Sequence, residues 1–354
     1  MRRFHGGIAA TMLLAASLAV SLSGIALAQS RILPEPKSGE PVPAAITITA
    51  VPIERFRDTP YGGTVDRLIW RGGLELRSES LDFGGLSGIT FAGDADTMIT
   101  VSDRGQFISA RLTYDSAGAP IAISGGQIVP IANSKGNALP PNYSRDAEAV
   151  ETIFRDGNPA AVRVGFENLT RVADFDLTNG RPGGAAREVT IPDWLAELRS
   201  NESLEAVCIA SPASPIAGST LLITENVEDG ENSSRAFLLG VRDRGPLSYH
   251  RTAGLNPTAC GFAPNGDLYV LERGLGLLTF RMQITRIPAA EVVPGNRLQG
   301  EAVLTASGGE IDNMEGLAIH QGPDGETRLS VISDDNFNDW ERTLILQFAL
   351  PAQD

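Results

Sequence analysis

The chain of 354 residues holds 38 glycines and 22 prolines, with 42% hydrophobic and 20% charged residues. That composition excludes a disordered polymer, a collagen-like repeat and a coiled coil. Twenty-nine basic residues, of which only Lys37 and Lys135 are lysine, face 43 acidic ones for a formal net charge of −14. Such an excess speaks against nucleic acid as a partner, because phosphates would be repelled.

Arg2 and Arg3 precede an apolar run from Ile8 to Leu27, and Ala26-Leu27-Ala28 stands before Gln29. This is the pattern of a secretory signal peptide over residues 1–28. The run is nearly long enough for a membrane anchor, but its alanine, serine and glycine content and its small-x-small end favour cleavage. Residues 29–45, with Pro34, Pro36, Pro41 and Pro43, are expected to form an extended linker. Residues 46–354 are expected to form one domain. No later stretch is apolar enough to span a bilayer. The expected product is periplasmic or secreted, free of the membrane and monomeric.

Five segments then repeat one plan of strand, turn, strand and closing acid. They open at Leu86-Ser87-Gly88-Ile89, Ala147-Glu148-Ala149-Val150, Leu204-Glu205-Ala206-Val207, Pro257-Thr258-Ala259-Cys260 and Met314-Glu315-Gly316-Leu317. They close at Ser102-Asp103-Arg104, Glu167-Asn168, Glu225-Asn226, Glu272-Arg273 and Ser333-Asp334-Asp335-Asn336. Turns such as Asp156-Gly157 and Asn265-Gly266-Asp267 mark hairpins. Each segment starts 53 to 61 residues after the one before, a period with room for about four strands and the size of a propeller blade. The expectation is an all-β, single β-propeller of six blades, with five or seven as alternatives. Strand-like stretches between Ile46 and Ser80 would join Thr343–Phe348 in the sixth blade, so that the two ends close the ring. One helix-like segment, Asp193 to Ser200, follows Pro192.

In an antiparallel hairpin the opening residue and the closing acid share one end of the blade. Ser87, Glu148, Glu205, Thr258 and Glu315 would therefore face one mouth of the axial channel. With them would stand Asp103, Glu167, Glu225, Glu272, Asp334 and Asp335. Crowded, partly buried carboxylates are costly unless they take up protons, pair with cations or bind metal. Arg104, Arg145 and Arg273 adjoin the acids in sequence. Oxygen donors without histidine or thiol, including the amides of Asn168, Asn226 and Asn336, suit Ca²⁺ or another hard cation. The competing reading gives these acids a structural task, bonding backbone N–H groups of the next blade.

At these residues the chain resembles the phytase-like family of exported bacterial proteins with "esterase-like activity of phytase". The matching segments are Gly85-Leu86-Ser87-Gly88-Ile89, Val101-Ser102-Asp103-Arg104-Gly105, Arg145-Asp146-Ala147-Glu148-Ala149, Leu271-Glu272-Arg273, Asn313-Met314-Glu315-Gly316-Leu317 and Ile332-Ser333-Asp334-Asp335-Asn336-Phe337. The resemblance implies a β-propeller that hydrolyses phosphoesters or esters at its acidic residues. Ser87 and Thr258 depart from the glutamate of the other three openings.

The chemistry expected is metal-assisted hydrolysis. Asp103, Glu148, Glu167, Glu205, Glu225, Glu272, Glu315, Asp334 and Asp335 are candidate cation ligands. Glu148, Glu205, Glu315 and Asp334 are the candidates for direct catalytic work, including a general base. Arg104, Arg145 and Arg273 would bind a small anionic substrate such as a phosphoester. The alternatives are a non-catalytic binding or scaffold propeller and a sugar lactonase. There is no G-x-S-x-G elbow, P-loop, H-E-x-x-H or EF-hand loop. His250 and His320 read as surface or packing residues. Cys208 and Cys260 stand three residues after Glu205 and two after Thr258. Odd and even offsets face opposite sides of a strand, so the two are expected to meet across neighbouring blades as a disulfide.

Overall fold

Each of the five hairpins opens an antiparallel sheet in the computed structural model, which describes residues 39–352 apart from 142–143, 242–243 and 277–278. The signal peptide expected over 1–28, and the linker as far as residue 38, lie outside the described residues. Blade 1 runs outward from the axis as Leu86–Phe91, Thr97–Ser102, Gln106–Tyr114 and Pro120–Pro130. Blade 2 is Ala147–Arg155, Asn158–Phe166, Arg171–Thr178 and Arg181–Val189. Blade 3 is Leu204–Ile209, Thr220–Glu228, Ser233–Leu239 and Gly245–His250, edged by Arg297–Leu298 in parallel. Blade 4 is Asn256–Phe262, Leu268–Leu275, Phe280–Ile287 and Glu301–Ser307.

The fold is therefore a β-propeller, but of five blades and not the expected six. Blade 5 takes Asn313–Gln321, Thr327–Asp334 and Thr343–Ala349 from one end of the chain. It is completed by Leu68–Arg77 and Thr49–Ile53 from the other. Thr343 pairs with Leu76 and Ala349 with Ile69. The two ends do close the ring, as the repeat suggested, yet they finish the last blade instead of adding one. The reason is arithmetic in strands: the C-terminal repeat supplies only three and lacks its outer pair. Trp70, Phe56 and Phe348 seal this junction, with ring centroids 5.1 to 5.3 Å apart.

Burial follows the same count. Five apolar clusters fill the five spaces between neighbouring blades. The inner strand Leu86–Phe91 is buried at every residue because blades pack on both of its faces, whereas Pro120–Pro130 at the rim has exposed positions. The Pro-rich segment is not wholly a free tether. Ala44 and Ala45 pair with Ile128 and Gln127 along the edge of blade 1. The helix after Pro192 spans only Asp193–Ala196, shorter than the expected Asp193–Ser200.

Cys208 and Cys260 are joined by a disulfide between the inner strands of blades 3 and 4, with Cα atoms 5.6 Å apart. The bridge closes a loop of 52 residues. In the chain-entropy account that is worth about 4 kcal/mol against the unfolded state. Urea denaturation of a Cys208→Ser/Cys260→Ser double variant should show a loss of that order. A difference near zero would mean that the unfolded chain gains no freedom there.

His320 stacks on Phe91 at 3.6 Å, with Nδ1 2.9 Å from Gln321 O and Nε2 2.7 Å from Ser330 Oγ. Burial pushes its imidazole down to about 3, so it is a neutral packing residue and not a base. A histidine held below its unfolded pKa contributes stability at neutral pH that drains away as pH falls from about 6.5 toward 3. The stability advantage of the wild type over His320→Gln should shrink between pH 7 and 4.5, by up to about 1.4 kcal/mol per unit. An advantage constant across that range would show that the ring is protonated at no cost.

Candidate functional site

Every inner strand carries one residue more than its partner, and the extra residue is always the opening residue of the repeat. In blade 1 Leu86 faces Ser102 and Gly88 faces Val101, leaving Ser87 as a bulge. The same slip occurs at Glu148, Glu205, Thr258 and Glu315. A bulge bends its strand and re-aims the side chain, and five bulges at one level build a ring at the mouth.

A second ring comes from the closing residues, which bond or pair to a third set opposite them. Asp103, Glu167 and Glu225 donate their N–H to the carbonyls of Gly85, Asp146 and Ser203. Arg273 pairs with Asn256, and Asp334 with Asn313. In blade 4, therefore, the closing position holds Arg273 and not Glu272. Glu272 lies one residue earlier, opposite Pro257, the position of Ser102, Phe166, Thr224 and Ser333 in the other blades. A one-residue shift in a strand sends the side chain to the other face. Its carboxylate is wholly buried and accepts the Thr252 N–H at 2.6 Å and hydroxyls of Thr252 and Thr285 at 2.8 and 3.0 Å. Glu272, expected among the cation ligands, is thus a blade-linking acid.

Asp335 is also committed elsewhere. Its Oδ1 accepts the N–H groups of Gly85 and Phe337, both at 3.0 Å, and Oδ2 accepts the Thr343 hydroxyl at 3.2 Å. It clamps blade 5 to blade 1. Gly85 is required there: at φ +62, a Cβ would lie 2.3 Å from Asp103 Oδ1 and 2.2 Å from the Phe337 ring. Ser87 and Thr258 hydroxyls turn to the carbonyls of Gly85 and Met314, at 3.4 Å each.

The tightest group of oxygens is Asp146, Glu148 and Glu167, whose donor atoms lie within 4.8 Å of one another. Unit charges at that spacing repel by about 3 kcal/mol per pair even at an effective dielectric near 20, so three bare carboxylates are not a stable arrangement. Burial, then Asp146 and Glu167, raise the Glu148 carboxyl well above its usual range. Burial also lifts Glu167 to about 8, against bonds from Glu205 and from the Ser203 N–H at 2.7 Å. Asp146 is fixed by the Asn168 amide. Glu205, 7% exposed, is raised by burial and by Glu148, Glu167, Glu225 and Glu315. Across the mouth, burial lifts Asp103 and Glu315 each to about 7, opposed by Arg104 and Arg273 respectively. Asp334 is raised by burial, then by Asp103 and Glu315; Glu225 is raised by burial against Arg273. The carboxylates expected to converge from blades 1, 2, 3 and 5 thus share one field.

Arg104 and Arg273 sit among them, whereas no acid of the mouth acts on the Arg145 guanidinium, which burial alone lowers. Arg104 lies over the Phe337 ring at 3.3 Å, and its Nη1 meets no hydrogen-bond partner among the described residues. Arg145 donates Nε–H to Leu139 O at 3.1 Å, while its buried Nη2 is unpaired in the same sense. Gly105 brings the two together, since its missing Cβ would be 2.8 Å from that of Arg145. Arg273 bridges Glu315 at 3.1 Å and Glu225 at 3.6 Å. Asn226 and Asn336 instead bond Glu202 and Glu341, at 3.2 and 2.7 Å. Below the acids the channel narrows to a cavity of about 10 Å³ lined by Glu148, Gly88 and Gly316. A Cβ on Gly88 would be 2.9 Å from Val150 N, and one on Gly316 3.0 Å from Ile89 N. Residues of all five inner strands line that cavity, so the axis is narrow there.

Sequence reasoning passed over Asp146 and Asn313 as site residues. The signal was present: each stands two residues before an opening glutamate, in Asp146-Ala147-Glu148 and Asn313-Met314-Glu315. Residues two apart on a strand share a face, so that spacing alone could have paired them.

The chain belongs to the phytase-like family, described by the esterase-like activity of phytase, whose model matches residues 81–337. That range holds the whole mouth. A search of curated proteins finds no match. Among solved structures the chain is similar to the Dos1 propeller, at 9% identity and a TM-score of 0.34, covering 79% of this chain and 74% of that one. It is also similar to the PQQ-bound aldose sugar dehydrogenase of Streptomyces coelicolor, at 12% identity and a TM-score of 0.40, covering 78% and 97%. A glucose dehydrogenase matches at 10% identity and 0.42, covering 77% and 98%.

Glutamine substitution separates the two kinds of acid. If the mouth holds Ca²⁺, Glu148→Gln should weaken its binding at least about tenfold, as loss of a charged ligand does. Glu272→Gln should cost about 1–3 kcal/mol of stability and leave Ca²⁺ affinity unchanged. Isothermal titration and urea melts read the two effects, and an exchange of phenotypes would overturn the assignment.

Proposed function

We propose that the protein is an exported hydrolase of ester bonds, phosphoesters or carboxylic esters, assisted by a hard divalent cation at the acidic mouth. The observation that carries the reading is the Asp146–Glu148–Glu167 group, with donor oxygens within 4.8 Å of one another. The fit to Ca²⁺ is chemical: an all-oxygen, carboxylate-rich donor set in which burial and neighbouring acids raise Glu148 and Glu167 is one whose repulsion a cation relieves. Asp146, Glu148 and Glu167 would hold the ion, with Glu205 adjoining. When bound, it would polarise a phosphoryl or acyl oxygen.

The remaining work falls to the chain's own side chains. Arg104, in the field of Asp103, Asp334 and Asp335, offers an unpaired N–H to a small anionic substrate, the interaction in which guanidinium geometry excels. Glu315, brought to about 7 by burial against Arg273, exchanges a proton with water near neutrality, as a general base must. Export is supported by the leader-like N-terminus and by the Cys208–Cys260 bridge, a bond kept in oxidising compartments.

Hydrolysis of p-nitrophenyl phosphate, bis(p-nitrophenyl) phosphate and p-nitrophenyl acetate tests the reading. Activity on at least one should vanish with EDTA and return with Ca²⁺, and Glu315→Gln should lower kcat about 100-fold. Folded, Ca²⁺-loaded protein inert on all three would leave a binding or scaffold propeller in its place.

A further inference from the structure

The triad of blade 2 has a copy in blade 5. Asn313, Glu315 and Asp334 occupy the positions of Asp146, Glu148 and Glu167: the residue opposite the closing position, the bulge, and the closing residue itself. Asn313 and Asp334 are cross-strand partners, and the Asn313 side chain bonds Glu315. Asn313 is 4% exposed, yet its Oδ1 meets no hydrogen-bond partner among the described residues. Buried acceptors are rarely left unpaired. A spare carbonyl oxygen beside two carboxylates is a donor set for a hard cation.

The copies differ at two of their three positions, Asn313 for Asp146 and Asp334 for Glu167, and the residue beside them differs in the sign of its charge. The closing residue of the preceding blade is Asp103 beside blade 2 and Arg273 beside blade 5. Asp103 adds negative charge to the Glu148 group, which deepens its need for a cation. Arg273 instead reaches Glu315 at 3.1 Å and Glu225 at 3.6 Å. Burial works against its charge, but Glu315, Glu225 and Glu205 outweigh it and hold the guanidinium protonated. A fixed positive charge in contact with a would-be ligand repels an incoming ion.

We propose that Arg273 is a resident cation that keeps the blade-5 triad closed to metal, so that the mouth takes a single divalent ion, at blade 2. The mouth is thereby polarised, with exchangeable positive charge on one side and permanent positive charge on the other. Asn313, Glu315 and Asp334 are a latent second site. The inference rests on the reading of blade 2 as the metal centre, and the experiment separates the two.

Ca²⁺ stoichiometry is measured by equilibrium dialysis and elemental analysis on purified, folded protein. Wild type and Arg273→Lys should bind a single ion, and Arg273→Gln a second. Adding Asn313→Leu to Arg273→Gln should remove that second ion. Adding Glu148→Gln and Glu167→Gln should remove the first and keep the second. Arg273→Met serves the same purpose if the glutamine variant does not fold. Two ions in the wild type, or no gain in either folded Arg273 variant, would overturn the proposal. No ion in the wild type but one in Arg273→Gln would sink the blade-2 reading and leave standing the role of Arg273 in closing the blade-5 triad.

Discussion

Five inner strands each carry one residue too many for their neighbour, and the organisation of the mouth depends on that mismatch. A regular strand would alternate its side chains between the faces of the blade. With the bulge at Ser87, Glu148, Glu205, Thr258 and Glu315, a residue escapes the ladder and is aimed at the axis. Because the bulge recurs at one level in all five blades, the escapes form a ring. The pairing of the closing residues is set by the same slip, which is why Arg273 joins the ring and Glu272 does not.

Such a ring carries an electrostatic cost, and the molecule spreads the compensation unevenly. In blades 1 to 3 the mouth holds Asp103, Asp146, Glu148, Glu167, Glu205 and Glu225, and Arg104 is the cation that opposes the Asp103 charge. In blades 4 and 5 Arg273 lies between Glu225 and Glu315. The first half is left to protons or an external ion, whereas the second carries its own counter-charge. Acids at structural joints are treated differently again. Asp335 and Glu272 have their oxygens filled by N–H and O–H donors, so they cement blades without remaining available to a ligand.

Five blades bring the inner strands close together, leaving about 10 Å³ where all five meet, and Gly88 and Gly316 permit the approach. The ring itself is held by the exchange of strands between the two ends of the chain, at Leu68–Arg77 and Thr343–Ala349. The Cys208–Cys260 bridge adds a covalent tie between blades 3 and 4.

Much of this was legible before any coordinates. The recurrence of an apolar strand, a glycine turn and a closing acid specified hairpins, and hairpins of that period specified blades, because strand alternation and turn chemistry are local properties. Antiparallel geometry alone put the acids of blades 1, 2, 3 and 5 at one end of their hairpins, where the structure also has them. What sequence could not decide depended on register and on closure. Whether Glu272 or Arg273 faces the mouth turns on a one-residue slip that composition does not encode. The blade number turns on whether the end strands join an existing sheet or start another, a choice made by edge pairing between Thr343–Ala349 and Leu68–Arg77. The net charge of −14 belongs to the sequence; its gathering into a side of carboxylates and a side with a resident arginine belongs to the tertiary structure, because only the ring brings those residues within each other's field.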